Sequence, residues 1–230
     1  FFLKQKTRPN WTIYRNPITV LILIWIAYNL VQVANPTAES RMAWVYTVRS
    51  VAVVMLMYFV FMYHISTVAF IRLVIKVWLV LAAFGALYGL KQEFIGFFPF
   101  EEAGLQDPLQ RSLLFIGGHW RKFSIFSDPV AFSYNMVSAT LLCIALITGP
   151  ISFPKKVLFG LLAALYSFSM LYSGTRGAYV LIPAAFVLLL LLKFNTRVFL
   201  FSIVAAIVFG ALIYMPTGNP ALYRFQSAFK

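Results

Sequence analysis

From Pro17 to Met215 the sequence is a succession of apolar runs separated by short polar joints. The third run, AFIRLVIKVWLVLAAFGALYGL over Ala69–Leu90, is typical of them. A helix of about 20 predominantly apolar residues spans the ~30 Å hydrocarbon core of a bilayer. Windows of that length give seven candidate membrane helices: Pro17–Ala34, Ala43–Tyr63, Ala69–Leu90, Pro129–Thr148, Val157–Tyr172, Ala178–Leu192 and Val198–Met215. Hydrophobic residues make up 62% of the chain and charged residues only 11%, with mean hydropathy +0.86. A soluble domain averages about 45–50% apolar and about 25% charged, so this chain has too little polar surface to face water all round. The expected fold is all-α: a polytopic membrane helix bundle of about seven transmembrane helices, forming a single transmembrane domain over residues 1–230. The chain starts at Phe1 and stops shortly after the last run, so a fragment of a longer polytopic protein is expected. The single cysteine, Cys143, excludes an internal disulfide and a cysteine-rich metal cluster.

The net charge of +13 would suggest nucleic acid in a soluble protein, but these cations lie between apolar runs, where their sidedness carries the information. One set of joints holds Lys4, Lys6, Arg8, Arg15, Arg72, Lys76, Lys155, Lys156, Lys193 and Arg197, and no acid. The other set holds the remaining nine cations and all six acids. Basic, acid-free joints face the cytoplasm, which places Arg121, Arg176 and Arg224 together on the outer side. Trp11, Tyr14, Trp44, Tyr46, Tyr88, Trp120, Tyr172 and Tyr214 near the run ends fit aromatic interface belts. Gly85 and Gly89 form a small-xxx-small packing pair in the third run.

Residues 91–128 form a long outer loop, and loops of that length are functional or disordered; this one is too apolar for disorder. EFIGFFPF, at positions 93–100, is too short to span, and reads as an interfacial or re-entrant segment. DPLQRSLLFIGG reads as a short helix capped by Asp107, begun by Pro108 and stopped at Gly117-Gly118. Asp128 is placed to cap the fourth membrane helix, with Pro129 as its first residue. The free amides at that helix start, close to Arg121 and Lys122, suit an anion. Glu101-Glu102 reads as a solvated loop edge, and His119 as either a base or a stacked loop histidine.

SGTRGA sets Arg176 between Gly174 and Gly177 at the mouth of an apolar run. Arginine offers a planar, permanently charged fork for phosphate, and the glycines allow close backbone approach. Arg121, Lys122 and Arg176 are therefore candidates for holding a diphosphate at the membrane face, the alternative being that they anchor helix ends by reaching out to lipid headgroups. No ionisable residue sits in the middle of a run, no ligand-spaced His, Cys or carboxylate cluster occurs, and no P-loop is present.

RKFSIFSDPVAF and SGTRGA together resemble the O-antigen ligase and Wzy polymerase superfamily of bacterial envelope glycosyltransferases. Arg121, Phe126, Asp128 and Pro129 match its Arg-x-x-Gly-x-Phe-x-(Asn/Asp)-Pro-Asn stretch, with Ser124 in place of glycine and Val130 in place of asparagine. Ser173, Thr175, Arg176, Gly177 and Ala178 match its Ser-x-Thr-Arg-Gly-Ala stretch. NPALYRFQSAF looks like the start of the family's large outer loop, over 216–230, with Arg224 as a looser match. The resemblance implies a GT-C-like enzyme in the bacterial inner membrane. It would move a glycan from undecaprenyl diphosphate to a lipid A core, glycan or protein acceptor at the outer face, with neither metal nor cofactor and with no nucleic acid as partner. It implies that Arg121, Arg176, Lys122 and Arg224 hold the diphosphate, that Asp128, Pro129, Gly174, Thr175 and Gly177 support them, and that a catalytic histidine lies beyond Lys230. The alternatives are a lipid-linked oligosaccharide flippase or other transporter, which calls for buried charges and a repeat not seen here, and a non-catalytic membrane subunit.

Overall fold

The computed structural model describes residues 11–35, 40–65, 67–192, 196–216, 218, 220–227 and 229. Lys4, Lys6, Arg8, Glu39, Lys193 and Lys230, which enter the charge pattern, lie outside the described residues. The chain divides into two compact units, Phe1–Ile75 and Lys76–Lys230, the boundary falling within a helix.

The first unit holds helices α1 (Pro17–Val31) and α2 (Arg41–His64), together with the start of α3 (Val68–Phe94). Asn16 caps α1 by accepting the Thr19 amide at 2.9 Å, with Pro17 as the first helical residue. The hairpin is tied by the Trp44 indole donating to the Asn29 carbonyl at 2.9 Å and by Thr19 and Tyr58 hydroxyls 3.1 Å apart.

The second unit holds the rest of α3, then α4 (Pro99–Leu105), α5 (Pro108–Leu114), the strands β1 (Phe115–Ile116) and β2 (His119–Trp120), α6 (Pro129–Ile147), α7 (Phe153–Leu171), α8 (Arg176–Leu192), α9 (Thr196–Tyr214) and α10 (Pro220–Gln226). α6 and α7 pack as an antiparallel hairpin, and α8 lies against α6. The small-residue pair on α3 has a direct use here. A Cβ on Gly89 would fall 2.6 Å from the Phe132 ring, and one on Gly85 would fall 3.2 Å from Phe126. The close approach lets Ser169 donate to the Ala86 carbonyl at 3.1 Å and Tyr166 to the Leu79 carbonyl at 2.7 Å. Interhelical hydrogen bonds between small-residue surfaces are how helices hold together where lipid removes the hydrophobic driving force.

Among the described residues five helices are long and apolar enough to cross a membrane: Pro17–Ala34, Arg41–His64, Val68–Phe94, Pro129–Ile147 and Phe153–Leu171. The sixth and seventh expected spans correspond to shorter apolar helices, Arg176–Leu188 and Ser202–Tyr214, and Pro183 lies inside the former. Leu21, Val54, Val80 and Leu191 present large apolar side chains outward, which water would penalise and lipid accepts. The protein is a multi-pass, all-α helical membrane protein.

Two readings of the 91–128 segment are corrected. Gly117 and Gly118 do not stop the helix, which ends at Leu114; with φ of +64° and +78° they turn a two-residue hairpin pairing Phe115 with Trp120 and Ile116 with His119. Successive positive φ values are what a type I′ hairpin turn requires. Glu101 is no solvated edge: it is buried, and its carboxylate accepts from Tyr88, Gln92 and the Phe98 amide, with Lys91 at 3.9 Å. This polar knot fastens α4 back onto the end of α3, so the segment after Glu93 folds on the helix end.

Candidate functional site

The last turn of α7 and the first of α8 are joined by Tyr172–Thr175. The Ser173 hydroxyl donates to the Met170 carbonyl at 2.7 Å and lies 3.3 Å from the Thr175 amide, which donates to it. Gly174 sits at φ +64°, where a side chain is strained. The preceding loop is bound to this turn along its backbone, the Lys122 amide donating to the Tyr172 carbonyl at 2.9 Å.

Two arginines grip consecutive carbonyls of the turn. Arg121 Nε donates to Ser173 O at 2.9 Å, and Arg224 Nε donates to Gly174 O at 2.7 Å. Arg121 also donates to Thr175 Oγ1 at 3.0 Å, and that hydroxyl donates onward to the Pro129 carbonyl at 3.2 Å. Thr175 therefore joins the two sequence motifs physically, linking the arginine of one to the helix start of the other. A Cβ on Gly174 would fall 3.0 Å from Arg224 Cδ and Nε and 3.4 Å from Arg121 Cγ. The missing side chain is the space in which both arginines lie. Gly177 makes similar room for the Tyr134 hydroxyl, which a Cβ would meet at 2.8 Å.

Arg224 reaches the turn because α10 is fixed from both sides. Phe225 is buried with its ring 5.0 Å from Tyr179, and Gln226 donates to the Leu212 and Met215 carbonyls at the end of α9. Arg176, the first residue of α8, is exposed and donates to Ser227 of the same α10 region at 3.2 Å. Arg176, Arg224, Tyr223 and Ser227 line an open cavity of about 430 Å³. Beside it a narrow cleft is lined by His119, Arg121, Gly174 and Arg224. Three arginines thus converge, and among the described residues no carboxylate lies within ion-pairing distance of any of them. Burial, and after it the charge of Arg224, lower the affinity of Arg121 for its proton, and the charge of Asp128 partly offsets them. An anion placed between these cations would relieve both effects.

Lys122 is elsewhere. It is 5% exposed, with Nζ 3.3 Å from Glu93 Oε2 and 4.7 Å from the centre of the Phe97 ring. Burial lowers its proton affinity and the Glu93 charge partly restores it. His119 Nε2 lies 3.3 Å from the same Glu93 oxygen, without hydrogen-bond alignment. Sequence reading passed over Glu93, whose only signal is that it is an acid in the last turn of an apolar helix, and passed over Tyr179, Phe225 and Gln226, which carry no pattern of their own.

The α6 amides expected to receive an anion are already bonded. The Asp128 carboxylate accepts the Val130 and Ala131 amides at 2.8 and 2.9 Å, and its carbonyl takes the Phe132 amide. The cap and the first residue, Pro129, are otherwise as the sequence suggests. Partial burial raises the Asp128 pKa, but the amides and the Ser127 hydroxyl outweigh it and hold the carboxyl below its ordinary range. A depressed carboxylate stabilises the fold above its unfolded pKa, and the contribution is lost as pH falls through the folded one. Asp128→Ala is therefore expected to cost about 0.5–2 kcal/mol at neutral pH. The deficit should shrink toward zero in acid, and Asp128→Asn should retain most of the cap. Thermal melts of the three proteins in detergent from neutral pH to about pH 3 measure this, and a pH-independent deficit for Asp128→Ala would contradict it.

Ser124 occupies a backbone conformation with φ +57°, which is ordinarily left to glycine. It is held there by its amide donating to Gln92 Oε1 at 2.8 Å and its hydroxyl donating to the Gly85 carbonyl. Among the described residues no group of three or more His, Cys, Asp or Glu is placed to hold a metal ion. Comparison of the chain with family models, with curated proteins and with solved structures finds no match in any of the three.

Proposed function

We propose that the protein is a membrane glycosyltransferase of the O-antigen ligase and Wzy polymerase type, a GT-C-like bundle with seven spans. It takes a glycan from undecaprenyl diphosphate and passes it to a lipid A core, glycan or protein acceptor. The observation that carries this reading is the gathering of Arg121 and Arg224 on the Gly174 turn and of Arg176 and Arg224 around the adjoining cavity, with no carboxylate ion-paired to any of the three among the described residues. Glycosyl transfer from a lipid diphosphate leaves a diphosphate that gains negative charge as the C–O bond breaks. Fixed guanidiniums in a partly dehydrated site stabilise that charge without reorganising. The carrier's prenyl tail keeps the diphosphate at the lipid boundary, where the first turn of α8 and α10 lie in this reading. Ser124 supports it too, since the resembled motif has glycine at a position that here is left-handed. The acid-free Lys155-Lys156 end of α7 would face the cytoplasm and the arginine cavity the opposite side of a bacterial inner membrane.

The test is transfer by the purified protein in proteoliposomes from undecaprenyl-diphosphate glycan to candidate acceptors. Glycan joined to acceptor, with release of undecaprenyl diphosphate, is the expected result. Carrier bound without cleavage would favour a non-catalytic subunit. Movement of the intact carrier across the bilayer would favour a flippase.

A further inference from the structure

A second cavity, at the other end of the helices from the arginines, has a different character. It is an open groove of about 430 Å³ between α6, α7 and α8. Ile144 and Ile147 of α6 and Ile182 and Phe186 of α8 form its walls, and Gly160 and Ala163 of α7 its floor. Its hydroxyls are already engaged: Thr140 donates to the Met136 carbonyl at 2.9 Å and lies 3.3 Å from Ser167 Oγ. Among the described residues that line the groove, the charged one is Lys156, in the first turn of α7. Among the described residues Lys156 makes no ion pair, and the joint that precedes it carries no acid. The positive end of the α7 dipole adds to its charge.

We propose that this groove holds one acyl chain of an anionic glycerophospholipid from the surrounding membrane, with the lipid phosphate on Lys156. The dimensions agree. From Lys156 to Ser167, both lining the groove, α7 rises roughly 16 Å at ~1.5 Å per residue. That is about half of a ~30 Å hydrocarbon core, the depth of a single leaflet. An acyl chain whose headgroup sits at the level of Lys156 would end near Thr140 and Ser167. Gly160 is the second indication. Among the described residues a Cβ there would meet nothing within 4 Å, so none of them occupies the space that this glycine leaves. Glycine in a helix interior is destabilising relative to alanine. At Gly89 the loss is recovered by the close approach of Phe132, whereas at Gly160 no described residue comes close. Charge selects the headgroup: a lysine next to a membrane surface favours anionic over zwitterionic lipid.

The experiment is native mass spectrometry of the purified protein titrated with phosphatidylglycerol and with phosphatidylcholine of the same acyl chains. Wild-type protein should bind one phosphatidylglycerol about fivefold more tightly than phosphatidylcholine, the effect of roughly one lysine near an anionic headgroup. Lys156→Gln, which leaves the groove open, should bring the two lipids to parity. Gly160→Leu, whose side chain has room to enter the groove, should remove that bound lipid of either kind while helix content by circular dichroism is unchanged. Equal affinity for the two lipids in wild type, a preference that survives Lys156→Gln, or an unchanged bound lipid in folded Gly160→Leu would each overturn the proposal. The Lys156→Gln arm stands even if Gly160→Leu does not fold.

Discussion

Arg176→Lys is expected to lower glycan transfer about ten- to more than a hundredfold, with membrane level and melting temperature almost unchanged. The substitution keeps the charge and the ability to reach a headgroup, and removes the planar two-pronged donor. Losing one charge-assisted pair with a phosphate in a partly dehydrated site is worth about 1.5–3 kcal/mol, which converts to that range of rates. The structure explains why the fold should not suffer. Arg176 is exposed, and its described hydrogen bond is the one to Ser227. Arg121 differs, because its guanidinium also braces Ser173, Thr175 and, at 3.4 Å, the Leu113 carbonyl. Arg121→Lys should therefore lose stability as well as transfer, and the double variant should lose less transfer than the sum of the two if both grip one diphosphate. Transfer measured with purified, folded Arg176→Lys protein at the wild-type rate would remove Arg176 from the site, and with it much of the case for a diphosphate carrier as substrate.

Gly174→Ala should be damaging for two separable reasons. At φ +64° any side chain adds strain, of order 1–3 kcal/mol. The new Cβ would also press on Arg224 Cδ and Nε at 3.0 Å, in the place where that nitrogen holds the Gly174 carbonyl. Arg224 would have to leave its present position, and Arg121, packed on the same glycine, would be disturbed. Gly174→Asn separates the two effects, because asparagine tolerates left-handed backbone better than alanine while bringing the same Cβ. Both variants should bind undecaprenyl diphosphate at least about tenfold more weakly, the loss expected for one displaced charge-assisted donor. Only Gly174→Ala should carry the full loss of melting temperature. Wild-type affinity in either would mean that the two arginines can be displaced without consequence, and that the carrier does not bind on the Gly174 turn or in the cavity that Arg224 lines.

The local features of this protein were legible in its sequence. Apolar runs of membrane length specify helices because lipid leaves the backbone no other partner, and Asp128-Pro129 specifies a helix start because a cap acts over two or three residues. The same locality explains why Asn16-Pro17 and Asp107-Pro108 also begin helices. What the tertiary structure decided is which cations face one another. Lys122 stands next to Arg121 in the chain, yet Glu93, from the end of α3, holds it in a buried pair. Arg224 is distant in sequence and only loosely matched a motif, yet it lies on Gly174 because Tyr179 and Gln226 fix α10. Glu101 was misjudged for the same reason: its partners Tyr88 and Gln92 come from the preceding helix, and only the fold back of α4 removes the carboxylate from water. Helix caps and apolar periods repeat at fixed short spacing and leave a pattern. Ion pairs between elements have no fixed spacing, and a charge buried by its partner reads, in sequence, the same as one left exposed to a ligand.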